Sequence, residues 1–201
     1  DHVTSFYLGP NRPRLKTATW EDLTAAVESG STRETQWCEL KADVPASSPQ
    51  ANIELARDLA SLTVDGGVLL IGIKDQASTA SDVIGIDDSD LAGLSSRIDQ
   101  VALSRVTPPM TVELRPVSGP DGSSRSVLVV NVPKSEAAPH MVDERYWGRS
   151  ATGKRPLGDV EVARLISQRV GRTQRFEADL TAMASTVDPL PADQRTRGRL
   201  Y

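Results

Sequence analysis

The chain has 201 residues, 38% of them hydrophobic and 25% charged, with a net charge of −4. One cysteine (Cys38) and two histidines (His2, His140) exclude an intrachain disulfide and a cysteine-based zinc site. No apolar run nears the ~18 residues of a membrane span, and the opening DHVTSFYLGP lacks the basic and apolar regions of a signal peptide, so a cytoplasmic protein without membrane contact is expected.

Thr19, followed by Asp22, reads as the cap of a short helix with Leu23, Ala26 and Val27 inward and Gly30 at its end. Residues 35–43 (TQWCELKAD) alternate as a strand. Trp37, Glu39 and Lys41 share one face, and Gln36, Cys38 and Leu40 the other. Ser48-Pro49 opens a second helix that runs to about Val64, and Asp65-Gly66-Gly67 closes it. The unbroken apolar stretch VLLIGI (68–73) predicts a central strand covered on both faces. Lys74-Asp75 leaves that strand, and a loop is expected up to Asp87.

Leu91, Leu94, Ile98, Val101 and Ala102 mark an amphipathic helix between about 89 and 106, stopped by Pro108-Pro109. Residues 110–117 and 124–132 predict a hairpin around Gly119-Pro120-Asp121-Gly122. Residues 145–150 (RYWGRS) read as a short strand, and Asp159 caps a last helix ended by Gly171. These elements predict an α+β fold, a small mixed β-sheet packed with helices. Three parts are expected: a helical extension over 1–30, a main domain over 31–171, and a basic, partly flexible tail over 172–201.

Charge is unevenly placed. Residues 34–99 hold 12 acidic and 4 basic side chains, whereas residues 145–175 hold 8 basic and 2 acidic. A basic segment separate from an acidic one suits a polyanion held by the first and processed at the second; an unevenly charged solvated surface is the plainer alternative. Within the basic segment, Gly148-x-x-x-x-Gly153-Lys154 approaches the phosphate loop G-x-x-x-x-G-K-[ST]. Arg155 replaces the magnesium-binding hydroxyl, and Pro156 follows, so no helix begins at Lys154 to aim its amides at a phosphate. A divergent nucleotide-binding domain is therefore the weakest functional class. Arg145, Arg149, Lys154 and Arg155 are instead candidate contacts to a nucleic-acid backbone.

Three stretches in order resemble a known family. ETQWCELK (34–41) is similar to its acidic opening with E-[FL]-K, LASLTVDGGVLLIGIKD (59–75) to its A-F-A-N-T-x-G-G core, and YWGRSAT (146–152) to its closing Y-x-x-R region. Together they resemble the Schlafen-type Alba-like (AlbA_2) domain over about 31–170. The chain departs at Thr63-Val64-Asp65 and in the glycines of the third stretch, and it lacks the zinc-binding Cys/His set of animal Schlafens. The resemblance implies nucleic-acid binding, RNA more than DNA, and in some members metal-dependent endonucleolytic cleavage of structured RNA such as tRNA. By motif position it places the acidic triad on Glu34, Glu39 and Asp75, with Mg²⁺ or Mn²⁺ as cofactor. Carboxylates are the hard oxygen ligands these ions take, and Lys41, two residues from Glu39 on one strand face, is placed to steady a phosphate or water. The alternative is a non-catalytic DNA- or RNA-binding regulatory module, such as the front half of a longer regulator or phage-defence protein. The oligomeric state stays open, with the tail as the candidate element for a homo-oligomer.

Overall fold

Two short strands open the structure. The computed structural model describes residues 3–187. β1 (Ser5–Phe6) pairs antiparallel with β2 (Leu15–Lys16), and α1 (Trp20–Glu28) follows. The Thr19 hydroxyl accepts from the Asp22 amide, and the Asp22 carboxylate accepts from the Thr19 amide, so the expected capping box is complete. β3 (Cys38–Lys41) is shorter than expected at its start, because Thr35 and Cys38 bridge each other across a turn that takes Trp37 out of the strand. α2 (Pro49–Leu62) begins at the Ser48 cap, whose hydroxyl accepts from the Ala51 amide.

β4 (Gly67–Ile71) lies parallel to β3, in register from Cys38↔Val68 to Lys41↔Ile71. α2 is the crossover between them, as parallel neighbours require. β5 (Ile73–Gln76) and β6 (Thr79–Val83) form a hairpin where a loop was expected. Its turn residues Ala77 and Ser78 both have positive φ (50° and 61°). Such turns favour Asn-Gly or Asp-Gly, and Ala-Ser carries no such signal. β7 (Ile86–Asp87) leads into α3 (Asp88–Ser104). β8 (Glu113–Ser118) and β9 (Arg125–Val132) make the expected hairpin.

β9 is the spine of the five-stranded sheet. One edge pairs with β4 and, beyond it, with β7; the other pairs with β8. Strand alternation splits the core in two. Leu69, Ile71, Leu128 and Val130 meet Leu55 and Leu59 of α2 and Ile98 and Val101 of α3. Val68, Leu70, Val127 and Val129 meet Phe6, Leu8, Leu15 and Leu23 from the N-terminal elements. The first 30 residues thus contribute a strand pair and a layer of core, and are more than a helical extension.

β10 (Met141–Val142), β11 (Arg145–Ser150) and β12 (Gly153–Pro156) form a separate three-stranded sheet. The near-phosphate loop is therefore a β-hairpin, with Gly148 facing Arg155 and Ser150 facing Gly153 across a two-residue turn. A Cβ on Gly148 would sit 2.5 Å from Leu157 Cδ2, so this glycine makes room for a side chain. α4 (Asp159–Val187) runs through Gly171, where an end was expected. The remainder of the predicted tail, 188–201, lies outside the described residues. No helix among the described residues is long and apolar enough to cross a membrane.

Cys38 is fully buried, and burial pushes its thiol up to about 12; Arg149 opposes this, while Glu39 and Glu34 add to it. A thiol-specific disulfide reagent at pH 8 is expected to leave native Cys38 unmodified and to react once denaturant unfolds the chain. Rapid modification of native protein would contradict this burial.

Candidate functional site

The α2 face of the sheet turns polar at its β3 edge. Cys38 and Leu40 point into the N-terminal half of the core, so Glu39 and Lys41 point toward α2. One turn of α2 presents Asp58 to Lys41 and carries Glu54 beside it, and the β11–β12 hairpin supplies Arg149 and Lys154. The result is a continuous chain of ion pairs. Arg149 Nη2 lies 2.6 Å from Glu39 Oε2, and Glu39 Oε1 lies 3.5 Å from Lys41 Nζ. Lys41 sits 2.9 Å from Asp58 Oδ2, and Lys154 donates to Asp58 Oδ1 at 2.5 Å. Lys154 also reaches Glu54 at 3.1 Å; Glu54 holds Arg57 at 2.5 Å, and Arg57 holds Asp143 at 3.0 Å.

Burial makes this chain costly to break. The Asp58 and Arg149 side chains are each only 1% exposed. Arg149 also donates from Nε to the Thr35 carbonyl (3.1 Å) and from Nη2 to the Cys38 carbonyl (3.2 Å), sealing the outer edge of β3. Burial opposes the charge on Lys41, but Asp58 and Glu39 outweigh it and hold its pKa above the ordinary lysine value. For Glu54 burial likewise opposes charge, and the hydrogen bonds and attraction of Lys154 and Arg57 still lower its pKa.

The expected site residues are divided by this arrangement. Glu39 and Lys41 are engaged with each other and with Arg149 and Asp58. The Glu34 backbone amide donates to the Ser78 carbonyl at 2.8 Å, and the Asp75 carboxylate accepts from the Ser78 amide at 3.2 Å, so the Glu34 backbone and the Asp75 side chain are both tied to Ser78. Among the described residues no group of three His, Cys, Asp or Glu side chains is arranged to hold a metal ion. With both Glu39 oxygens facing cations, the donors as arranged do not fit a divalent ion.

Of the four candidate backbone contacts, Arg149 is buried and Lys154 is bound to Asp58 and Glu54. Arg155 makes a bidentate pair with Glu161 (2.7 and 2.6 Å), which together with the Gly158 amide pushes the Glu161 carboxyl down to about 2. Arg145 is exposed and has no carboxylate partner among the described residues. His140 is fully buried. Its Nδ1 donates to the Pro108 carbonyl, which can only accept, and its Nε2 faces the Ser135 hydroxyl, both at 2.7 Å.

Asp58, the buried acid that joins Lys41 to Lys154, is the site residue that the sequence analysis does not single out. The signal was present: Leu55 and Leu62 stand three residues before and four after it, placing an acid on the apolar side of α2. A buried helical carboxylate needs a partner.

Two clefts flank the chain of charges. One, of about 750 Å³, lies between residues 41–45 and α2, with Lys41, Asp58 and Lys154 in its lining. The other, of about 640 Å³, is bounded by Arg12, Arg33, Glu34, Trp37, Ser78 and Thr152.

Arg149→Met is expected to destabilise the fold by about 3–5 kcal/mol in urea denaturation, because it strands Glu39. Adding Glu39→Gln should recover part of that loss. The Lys41 contribution is expected in full below its unfolded pKa of 10.5 and to fade as pH rises through the raised folded value. Lys41→Met should therefore flatten the alkaline fall in stability; an unchanged profile would show that the pair contributes nothing.

Solved structures with a similar arrangement include the DIP2311 protein of Corynebacterium diphtheriae, 22% identical, covering 70% of this chain at a TM-score of 0.43. The chain spans 27% of that protein's length. The N-terminal domain of a RecG-related protein from Nitrosomonas europaea is 19% identical, also with 70% coverage and a TM-score of 0.43, and 91% of that domain is covered. No curated protein matches the chain. Residues 34–158, which carry β3, α2, β4, the turn at Ser78 and the β11–β12 hairpin, match the family model described as Schlafen, AlbA_2, and the chain belongs to that family.

Proposed function

We propose that this chain is a nucleic-acid-binding domain that takes RNA in preference to DNA and uses the surface around Trp37, next to the start of β3. Membership of the Schlafen AlbA_2 family supports nucleic acid as the ligand class. The observation that carries the placement is the division of its cations. Of the four candidate contacts in the basic segment, Arg149, Lys154 and Arg155 are neutralised by carboxylates, and Arg145 is the one left without a carboxylate partner among the described residues. Arg12 and Arg33, in the 640 Å³ cleft, form no ion pair among the described residues. Phosphate binding draws on cations whose charge is not already spent, and each one that meets a phosphate releases a condensed counterion.

Cleavage of structured RNA such as tRNA is the second reading. The attachment of the Glu34 backbone and the Asp75 carboxylate to the same residue, Ser78, favours it. Glu39 would join them only by parting from Arg149, which is why binding is the primary reading.

Fluorescence anisotropy with labelled tRNA, single-stranded RNA and duplex DNA tests both. Binding to RNA is expected, with log affinity falling linearly as log salt rises. Arg12→Ala with Arg33→Ala should lower the salt slope by about 2. Absence of binding to all three ligands at low salt would overturn the proposal. Incubation of tRNA with Mn²⁺ or EDTA decides the second reading: it stands on Mn²⁺-dependent cleavage that Glu34→Gln abolishes, and falls if the RNA stays intact.

A further inference from the structure

The indole of Trp37 borders two clefts at once. On one side is the 640 Å³ cleft with Arg12 and Arg33. On the other is a cleft of about 350 Å³ that also contains Tyr7, Arg14 and Lys134. Tyr7 meets Trp37 edge to face, with ring centroids 4.8 Å apart and planes at 68°, and Tyr7 is 43% exposed. The two rings form a ridge between the clefts. Each cleft sets two cations against one carboxylate, Glu34 in the first and Asp65 in the second. Arg14 bonds only to Ser5, and Lys134, like Arg12 and Arg33, forms no ion pair among the described residues.

Resting on the nucleic-acid reading above, we propose that this ridge is a stacking platform for an unpaired strand. One base lies against the Trp37–Tyr7 pair, and the flanking phosphates lie with Arg12 and Arg33 on one side and with Arg14 and Lys134 on the other. Three features favour an unpaired strand over a duplex. Aromatic side chains stack on bases that are free of a helical stack, and any base offers a π-face. The clefts have the size of sites for single small ligands, around 300–1,000 Å³. The cations stand on both sides of the rings, as a backbone crossing the ridge requires.

The N-terminal hairpin builds half of this platform. Tyr7, Arg12 and Arg14 all lie outside the matched residues 34–158. Their placement is tight: a Cβ on Gly9 would come within 3.2 Å of the Trp37 ring, and Gly9 has a φ of 127°. The segment before the family domain therefore selects which form of nucleic acid the domain accepts.

The test uses the full chain with fluorescein-labelled oligouridine, oligothymidine and a mixed-sequence duplex. The single strands are expected to bind more tightly than the duplex, and Trp37→Leu to weaken them roughly 10- to 100-fold, a larger loss than the duplex suffers. Lys134→Ala, on the far side of the ridge from Arg33, should reduce the salt slope by about 1. Ultraviolet cross-linking of oligouridine to the unaltered chain is expected to label peptides containing Tyr7 or Trp37, which keeps the test valid if Trp37→Leu fails to fold. Equal affinity for strand and duplex, or cross-links confined to α4 and β12, overturns the platform and leaves the nucleic-acid reading intact. Failure of every oligonucleotide to bind removes both.

Discussion

The structure depends on a buried guanidinium. Arg149 leaves β11 and ends against Glu39 and the carbonyls of Thr35 and Cys38, at the outer edge of the main sheet. This contact fastens the three-stranded β10–β12 sheet to β3. A charge in that position would be expelled without its partners, since stripping water from it costs several kcal/mol. The partners exist because β3 alternates: the same pleat that buries Cys38 and Leu40 presents Glu39 and Lys41 to α2. Asp58, Lys154, Glu54, Arg57 and Asp143 extend the alternation of sign outward until it reaches solvent.

That arrangement governs which charges are available for binding. A basic stretch at 145–175 promises a polyanion surface when read as a run of letters. In the fold, much of its charge is already committed internally, to Glu39, Asp58, Glu54, Glu136 and Glu161. Arg12, Arg33 and Lys134, which form no ion pair among the described residues, border the clefts beside Trp37, while the equally unpaired Arg145 lies on β11 outside those clefts. The same logic separates the three family carboxylates. The Glu34 backbone and the Asp75 carboxylate are tied to Ser78, while the Glu39 carboxylate serves the ion-pair chain.

Local signals were legible wherever one short segment settles its own conformation. The Thr19 and Ser48 caps, the 124–132 strand and RYWGRS all follow from nearest-neighbour chemistry. The β5–β6 hairpin was not legible, because Ala77-Ser78 adopts positive φ without the residues that favour it, and tertiary pairing carries that cost. Gly171 carries the local signal of a helix stop, yet a glycine inside a helix costs only about 1 kcal/mol, and α4 continues through it.

The α+β class, the family and the residue types available for chemistry are legible along the chain, because periodicity and motif order are properties of neighbouring residues. Which charges neutralise one another is settled by the fold. Coulombic attraction acts through space and strengthens as water is removed, so Arg149 finds Glu39 across 110 positions of sequence. The same folding turned the Gly148–Lys154 near-match into a hairpin whose lysine clamps Asp58. It also left Trp37, drawn out of its strand by the Thr35–Cys38 turn, at the border of two basic clefts.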